Sequence, residues 1–167
     1  MSVFDEMSRE QLLKVAGNFA KNWLAHDGLW FQAVERARGL DEAIAADAAA
    51  WEKFSPIEAQ RIKELLGLGA RPGLEGLQRA LDHRMYAVLN RQRSELAGGV
   101  LRFFMEDCRV QSARKRKGLP DFPCKRVGLV EYAEFATAID PRIRTRCLAC
   151  PPDPHPDEFF CGWEFSI

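Results

Sequence analysis

No stretch of this sequence stays apolar for the roughly 18 residues that a membrane-spanning helix requires. Nor does the chain carry an excess of charge: 24 Lys and Arg stand against 24 Asp and Glu. A balanced molecule does not advertise a polyanionic or membrane-surface partner through its overall field. There is no charged-then-apolar leader at the start, no internal repeat and no low-complexity segment. With an odd number of cysteines, five in all, the absence of a leader points to a reducing compartment, the cytoplasm, and away from a disulfide framework.

What is present suits a folded domain. Hydrophobic residues make up 47% of the 167 and charged residues 29%, enough of each for a buried core under a solvated surface. One domain over 1–167 is expected, with a helical subdomain to about residue 86 and an α+β subdomain from about 87. Ser8-Arg9-Glu10-Gln11 reads as a capping box. Apolar residues then recur at helical spacing from Leu12 through Phe19, Trp23, Trp30 and Phe31 to Val34, and Gly39 ends the run. A second helix is expected from Asp41, with Ile44, Ala48, Trp51 and Phe54 on one stripe. Ser55-Pro56-Ile57-Glu58 reads as the start of a third that stops at Gly67. A fourth carries Leu74, Leu77 and Leu81 inward.

The period changes near residue 87. Val88–Glu95 and Val100–Val110 read as strands, with Ala97-Gly98-Gly99 supplying a hairpin turn. Val127–Ile139 reads as a helix with Val127, Val130, Ala133 or Glu134, and Ala138 inward, ended by Asp140-Pro141. Ile143–Leu148 and Phe159–Ile167 read as two more strands, joined by a stiff, extended Pro151–Pro156 connection. The expected class is α+β: a helical N-terminal half packed on a small antiparallel sheet of β-β-α-β-β order.

The sharpest chemical signal is the cysteine distribution. Cys124, Cys147, Cys150 and Cys161 fall late in the chain, and Cys147-Leu148-Ala149-Cys150 is a C-x-x-C pair. Four thiolates meet the requirement of a closed tetrahedral zinc site, and the same four suit an iron–sulfur cluster. His155 is a replacement ligand and Cys108 a fifth candidate. Against this stands the packing of free cysteine as a small buried hydrophobe.

Two carboxylates fall inside apolar stripes. Asp27 lies between Trp23 and Trp30 or Phe31, and Asp47 between Ile44 and Trp51. Burial without a partner raises a carboxylate's pKa and makes it a general base or ligand anchor; pairing with Arg61 or Arg84 would make it structural. His26 sits about 100° around the helix from Asp27. The expected pocket is lined by Trp23, Trp30 and Phe31, with Asp47 nearby and Asp27 and His26 as its catalytic or anchoring groups. A basic run, with Arg109, Arg114, Lys115, Arg116 and Lys117 at its head, reads as a solvated edge or as a means of steering an anionic small molecule. Sparse aromatics there argue against single-stranded nucleic acid.

The segments Asn22–Phe31, Asp107–Gln111, Asp121–Lys125, Ile139–Ile143 and Cys147–Asp153 resemble an uncharacterised bacterial "cytosolic protein" family over most of the chain. That family is distantly similar to L-2-amino-thiazoline-4-carboxylic acid hydrolase-like proteins. The C-terminal β-β-α-β-β with late cysteines is similar to the four-vinyl-reductase domain, a small-ligand-binding fold. The resemblance brings no settled activity with it. The first expectation is therefore a cytoplasmic, zinc-containing, small-molecule-binding or sensor-like module. A hydrolase of a small cyclic amide or amidine, and a nucleic-acid-associated zinc module, are the alternatives. The expected partner is a small-molecule ligand, with no membrane and no favoured nucleic acid; a homo-oligomer is left open.

Overall fold

The computed structural model describes residues 2–167. Two long helices open the chain. Helix α1 (Arg9–Arg38) starts at the capping box, where the Gln11 N–H donates to Ser8 Oγ and the Ser8 N–H donates to Gln11 Oε1. It stops at Gly39, whose φ of 92° is costly for a residue with a Cβ. Helix α2 (Leu40–Leu66) folds straight back from that single glycine and packs along α1. It runs unbroken through Pro56, so the expected third start at Ser55-Pro56 is corrected. Burial of Ser55 just before the proline and of Glu58, Ala59 and Ile62 beyond it holds the helix together; tertiary packing overrides the local stop signal.

Helix α3 (Gly73–Leu81) follows, then a 3₁₀ turn over Met85–Val88. Strands β1 (Arg91–Ala97) and β2 (Val100–Asp107) form a hairpin. Its loop is Gly98-Gly99, both at positive φ (59° and 73°), and Ala97 pairs with Val100 across it. A short helix, α4 (Arg109–Lys115), occupies part of the basic run and had no signal in the sequence pattern. Helix α5 (Lys125–Ile139) ends at Asp140, and β3 (Arg144–Ala149) and β4 (Cys161–Ser166) complete the chain. The Pro151–Pro156 link is not a straight rod: the Asp153 N–H donates to the Cys150 carbonyl and closes a turn.

The protein is thus α+β, with a four-stranded antiparallel sheet ordered β1-β2-β4-β3. One sheet face is wet. There Glu164 lies between Arg102 and Arg146, and Glu106 bonds Arg91 and Arg93. The other face is apolar, in the alternation expected of a half-covered sheet. Leu101, Phe103, Met105, Trp163 and Phe165 point from it into a core shared with α3, α5 and the C-terminal part of α2. The buried side of α5 is Val127, Gly128, Glu131, Tyr132, Phe135, Ala136 and Ile139. The expected inward set differs by part of a turn, which hid Glu131 and Phe135. A second apolar cluster joins Ile44, Ala48 and Trp51 of α2 to Phe122 and Val127. Trp23, Phe31, Phe54 and Tyr86 pack against it, so α2 spans both clusters. Among the described residues, no helix is long and apolar enough to cross a membrane.

Candidate functional site

A cavity of about 750 Å³ lies between the helical hairpin and the sheet, within the range typical of small-molecule sites. Asp27 and Phe31 of α1, Asp47 and Trp51 of α2, and Tyr86 of the 3₁₀ turn form one wall. Glu131 and Tyr132 of α5, Trp163 of β4 and the thiols Cys108, Cys124, Cys150 and Cys161 form the opposite one. Arg109, Arg114, Arg116 and Lys117 stand at the rim.

The carboxylates sit where their charge is poorly solvated. Burial pushes Asp47 up from the ordinary 3.8 to about 7, and the like charges of Asp27 and Glu131 add to the rise. An indole N–H bond from Trp51 offsets only part of it. Asp27 is raised by burial, opposed weakly by His26. Glu131 is raised by burial although Arg84 Nη1 lies 2.7 Å from its Oε1. The sign for stability follows. Asp47 holds a proton in the folded chain that the unfolded chain has released between about pH 4 and about 7, so stability falls as pH rises through that window. Replacing Asp47 with Asn is expected to flatten that slope and to stabilise the protein above pH 7 by on the order of 1–2 kcal/mol. Urea denaturation of both proteins at two pH values checks this; a variant less stable on the alkaline side would show that the carboxylate is compensated after all.

Arg84 is the structural counter-ion of this region. It is 3% exposed and bonded through Nε to Glu58 Oε2 at 2.9 Å. Its guanidinium lies 4.6 Å from the Phe135 ring centroid and 5.5 Å from that of Trp51. Arg84 therefore serves Glu58 and Glu131, and Asp27 and Asp47 are left to the cavity. Trp163 Nε1, fully buried, has no hydrogen-bond partner among the described residues.

The thiols meet where α5 begins. Cys124 caps α5, and its Sγ lies 3.6 Å from Cys150 Sγ. Cys150 also contacts the Cys161 thiol. The contact with Cys150 lowers the Cys124 pKa and raises that of Cys150; a helix N-terminus favours a thiolate at Cys124 in the same sense. Gln111, 1% exposed, fixes the loop before Cys124. Its amide N–H₂ donates to the Phe122 carbonyl and to Cys124 Sγ, and its Oε1 accepts from the Phe122 N–H. Burial pushes Cys108 up to about 12, so it is an inert thiol here. Cys147 is half-buried on β3, and burial raises its pKa, offset in part by Lys125. Among the described residues, no group of three or more His, Cys, Asp or Glu side chains is placed to hold a metal ion. His155 instead bonds Asp121 through Nε2 at 3.0 Å, next to the Phe160 ring.

The structure thus brings Asp27, Asp47 and Phe31 into one cavity with Cys124, Cys150 and Cys161. Other expected members fall outside it. Trp30 is 50% exposed on the far side of α1, and His26 is exposed as well. Both follow from helix geometry, since the inward line runs through Ala20, Leu24, Asp27 and Phe31, and Trp30 and His26 lie about 90° or more around the helix from its middle. Trp23 packs in an aromatic cluster, stacked on Phe54 with centroids 6.1 Å apart and edge-on to Trp51, behind the cavity wall. Sequence reasoning missed Tyr86, Glu131, Gln111 and the role of Arg84. Only Glu131 left a trace, as an acid four residues beyond Val127 on the buried side of α5.

No curated protein and no solved structure matches this chain. A family model does: the description is a family of unknown function (DUF6125), it matches residues 5–167, and the chain belongs to that family.

Proposed function

We propose that this protein is a cytoplasmic small-molecule-binding module whose ligand occupies the cavity between the helical hairpin and the sheet. The observation that carries this is one cavity holding polar groups of opposite kinds whose burial is poorly compensated. Burial raises both Asp27 and Asp47, the like charges of Asp27 and Glu131 add to the rise at Asp47, Trp163 offers an unused donor, and arginines stand at the rim. A ligand suited to these walls is small and amphoteric. It carries a cationic or donor group for the two aspartates, an apolar body for Trp51, Tyr86 and Phe31, and an acidic end toward Arg109 and Arg114. The test is a fragment screen by thermal shift with amines, acids and amphoteric compounds of similar size. Amphoteric fragments are expected to stabilise the protein most. Stabilisation by no class, or by apolar fragments alone, would refute the assignment.

A zinc ion on the thiols belongs to the same proposal for one reason. Two thiolates on a tetrahedral zinc, with Zn–S bonds of about 2.3 Å, stand about 3.8 Å apart, and Cys124 and Cys150 are separated by 3.6 Å. Cys161 is the third ligand in this reading, and Cys147 would have to turn inward as the fourth. Zinc content of the purified protein and of Cys150→Ser decides it: one zinc per chain, lost in the variant, is expected, and metal-free wild type removes the ion. A second reading, a hydrolase of small amides or amidines, is favoured by Cys124, a lowered thiol at the head of α5 that faces the cavity. Stoichiometric alkylation of Cys124 near neutral pH, ahead of the other four cysteines, would support it, and equal slow labelling of all five would count against it.

A further inference from the structure

The first helix has a second apolar edge that the fold uses only at Trp23. We propose that this edge of α1 pairs with the same helix of a second copy of the chain, making a homodimer through a coiled-coil-like seam.

Leu12, Ala16, Phe19, Trp23, His26 and Trp30 follow one another in steps of four, three, four, three and four. That alternation averages 3.5 residues and keeps one line of side chains on one side of a helix, which is how two helices come to share a seam. The inward face of α1 is a different line, running through Ala20, Leu24, Asp27 and Phe31 toward α2 and the cavity. Apart from Trp23, which packs within the chain on Trp51, Phe54 and Tyr86, the edge is left in water: Leu12 is 39% exposed, Phe19 60% and Trp30 50%. Only Ala20 of the thirty residues in α1 is buried. The N-terminal 3₁₀ turn adds to the patch, because Phe4 stands edge-on to Phe19 with centroids 6.5 Å apart.

The exposed area of the whole chain favours a second copy as the occupant. A monomeric protein of 19.0 kDa exposes about 8,400 Å², whereas this chain exposes 9,887 Å². The excess is about 1,500 Å² per chain, above the roughly 800 Å² that each partner contributes to a standard stable interface. A helix of thirty residues, about 45 Å long, is long enough to carry such a contact. The molecule has no net charge, so two copies meet without general repulsion. A two-fold contact uses the same seam on both copies and closes on itself.

The test is the mass in solution of the full chain, by sedimentation or light scattering, over a concentration series. Wild type is expected at twice the chain mass. The pair Phe19→Ala with Trp30→Ala keeps helix-favouring residues, and its helicity is checked by circular dichroism; it is expected to weaken association at least about tenfold. Leu29→Glu, at a 64% exposed site off the seam, is expected to remain dimeric. Wild type at one chain mass throughout overturns the proposal, as does an alanine pair that still associates like wild type. Loss of the dimer in Leu29→Glu as well would place the contact elsewhere on α1 and overturn the seam.

Discussion

Replacing Arg84 with alanine is expected to cost about 3–5 kcal/mol of folding stability, the usual loss when one member of a buried ion pair is removed. Glu58 and Glu131, both buried, would then face each other across the aromatic cluster without a cation. The Trp51, Tyr132 and Phe135 rings would also lose the guanidinium they surround. Part of the loss would return at low pH, because the two carboxyls can take up protons once the arginine is gone. Replacing both acids with glutamine in the same variant should recover most of it, since no buried charge then remains. Urea denaturation at neutral and acidic pH measures each step. A loss under about 1 kcal/mol for Arg84→Ala would mean that the buried triad is not the clamp described here.

The second large effect is expected at Trp163. Its ring is fully buried and stacks on Tyr132 with centroids 4.6 Å apart. Helix α5 makes room for it with Gly128, where a Cβ would lie 2.8 Å from Trp163 Cζ2. Trp163→Ala should cost about 3–5 kcal/mol. Gly128→Ala alone gains about 1 kcal/mol of helix propensity but meets the indole, so little or no stabilisation is expected. In the Trp163→Ala background the clash is gone, and the same change should stabilise. The double-mutant cycle thus predicts a coupling of at least about 1 kcal/mol. Additive effects would mean that α5 and β4 do not fit as described, and that the cavity wall between them is misplaced.

These two positions also show what was legible in the sequence. Elements with strong local signals are where the pattern puts them: α1 with its capping box and Gly39, the hairpin at Gly98-Gly99, and α5 ending at Asp140. Ser55-Pro56 misled because a proline inside a helix removes one hydrogen bond, and the buried residues after it outweigh that loss. Asp27 and Asp47 were visible because each interrupts an apolar stripe. Arg84 was visible only as a possible partner for an aspartate, because its actual partners, Glu58 and Glu131, come from two helices that meet only in the folded chain. The cysteines were legible as a group but not as pairs. The sequence-adjacent Cys147 and Cys150 suggested the contact, whereas the close sulfurs belong to Cys124 and Cys150. The bulge between Cys147 and Ala149 intervenes, and Cys147 stays in the strand opposite Trp163.

The central claim is that the cavity between hairpin and sheet is the binding site, and the four indole N–H signals of ¹⁵N-labelled protein test it most directly. Trp51 and Trp163 line the cavity, Trp23 lies behind its wall, and Trp30 lies outside it on the exposed edge of α1. Titration with the most stabilising amphoteric fragment is predicted to shift Trp51 and Trp163 in parallel and to leave Trp30 in place. A fragment that stabilises the protein while moving only Trp30, or none of the four, would contradict the account.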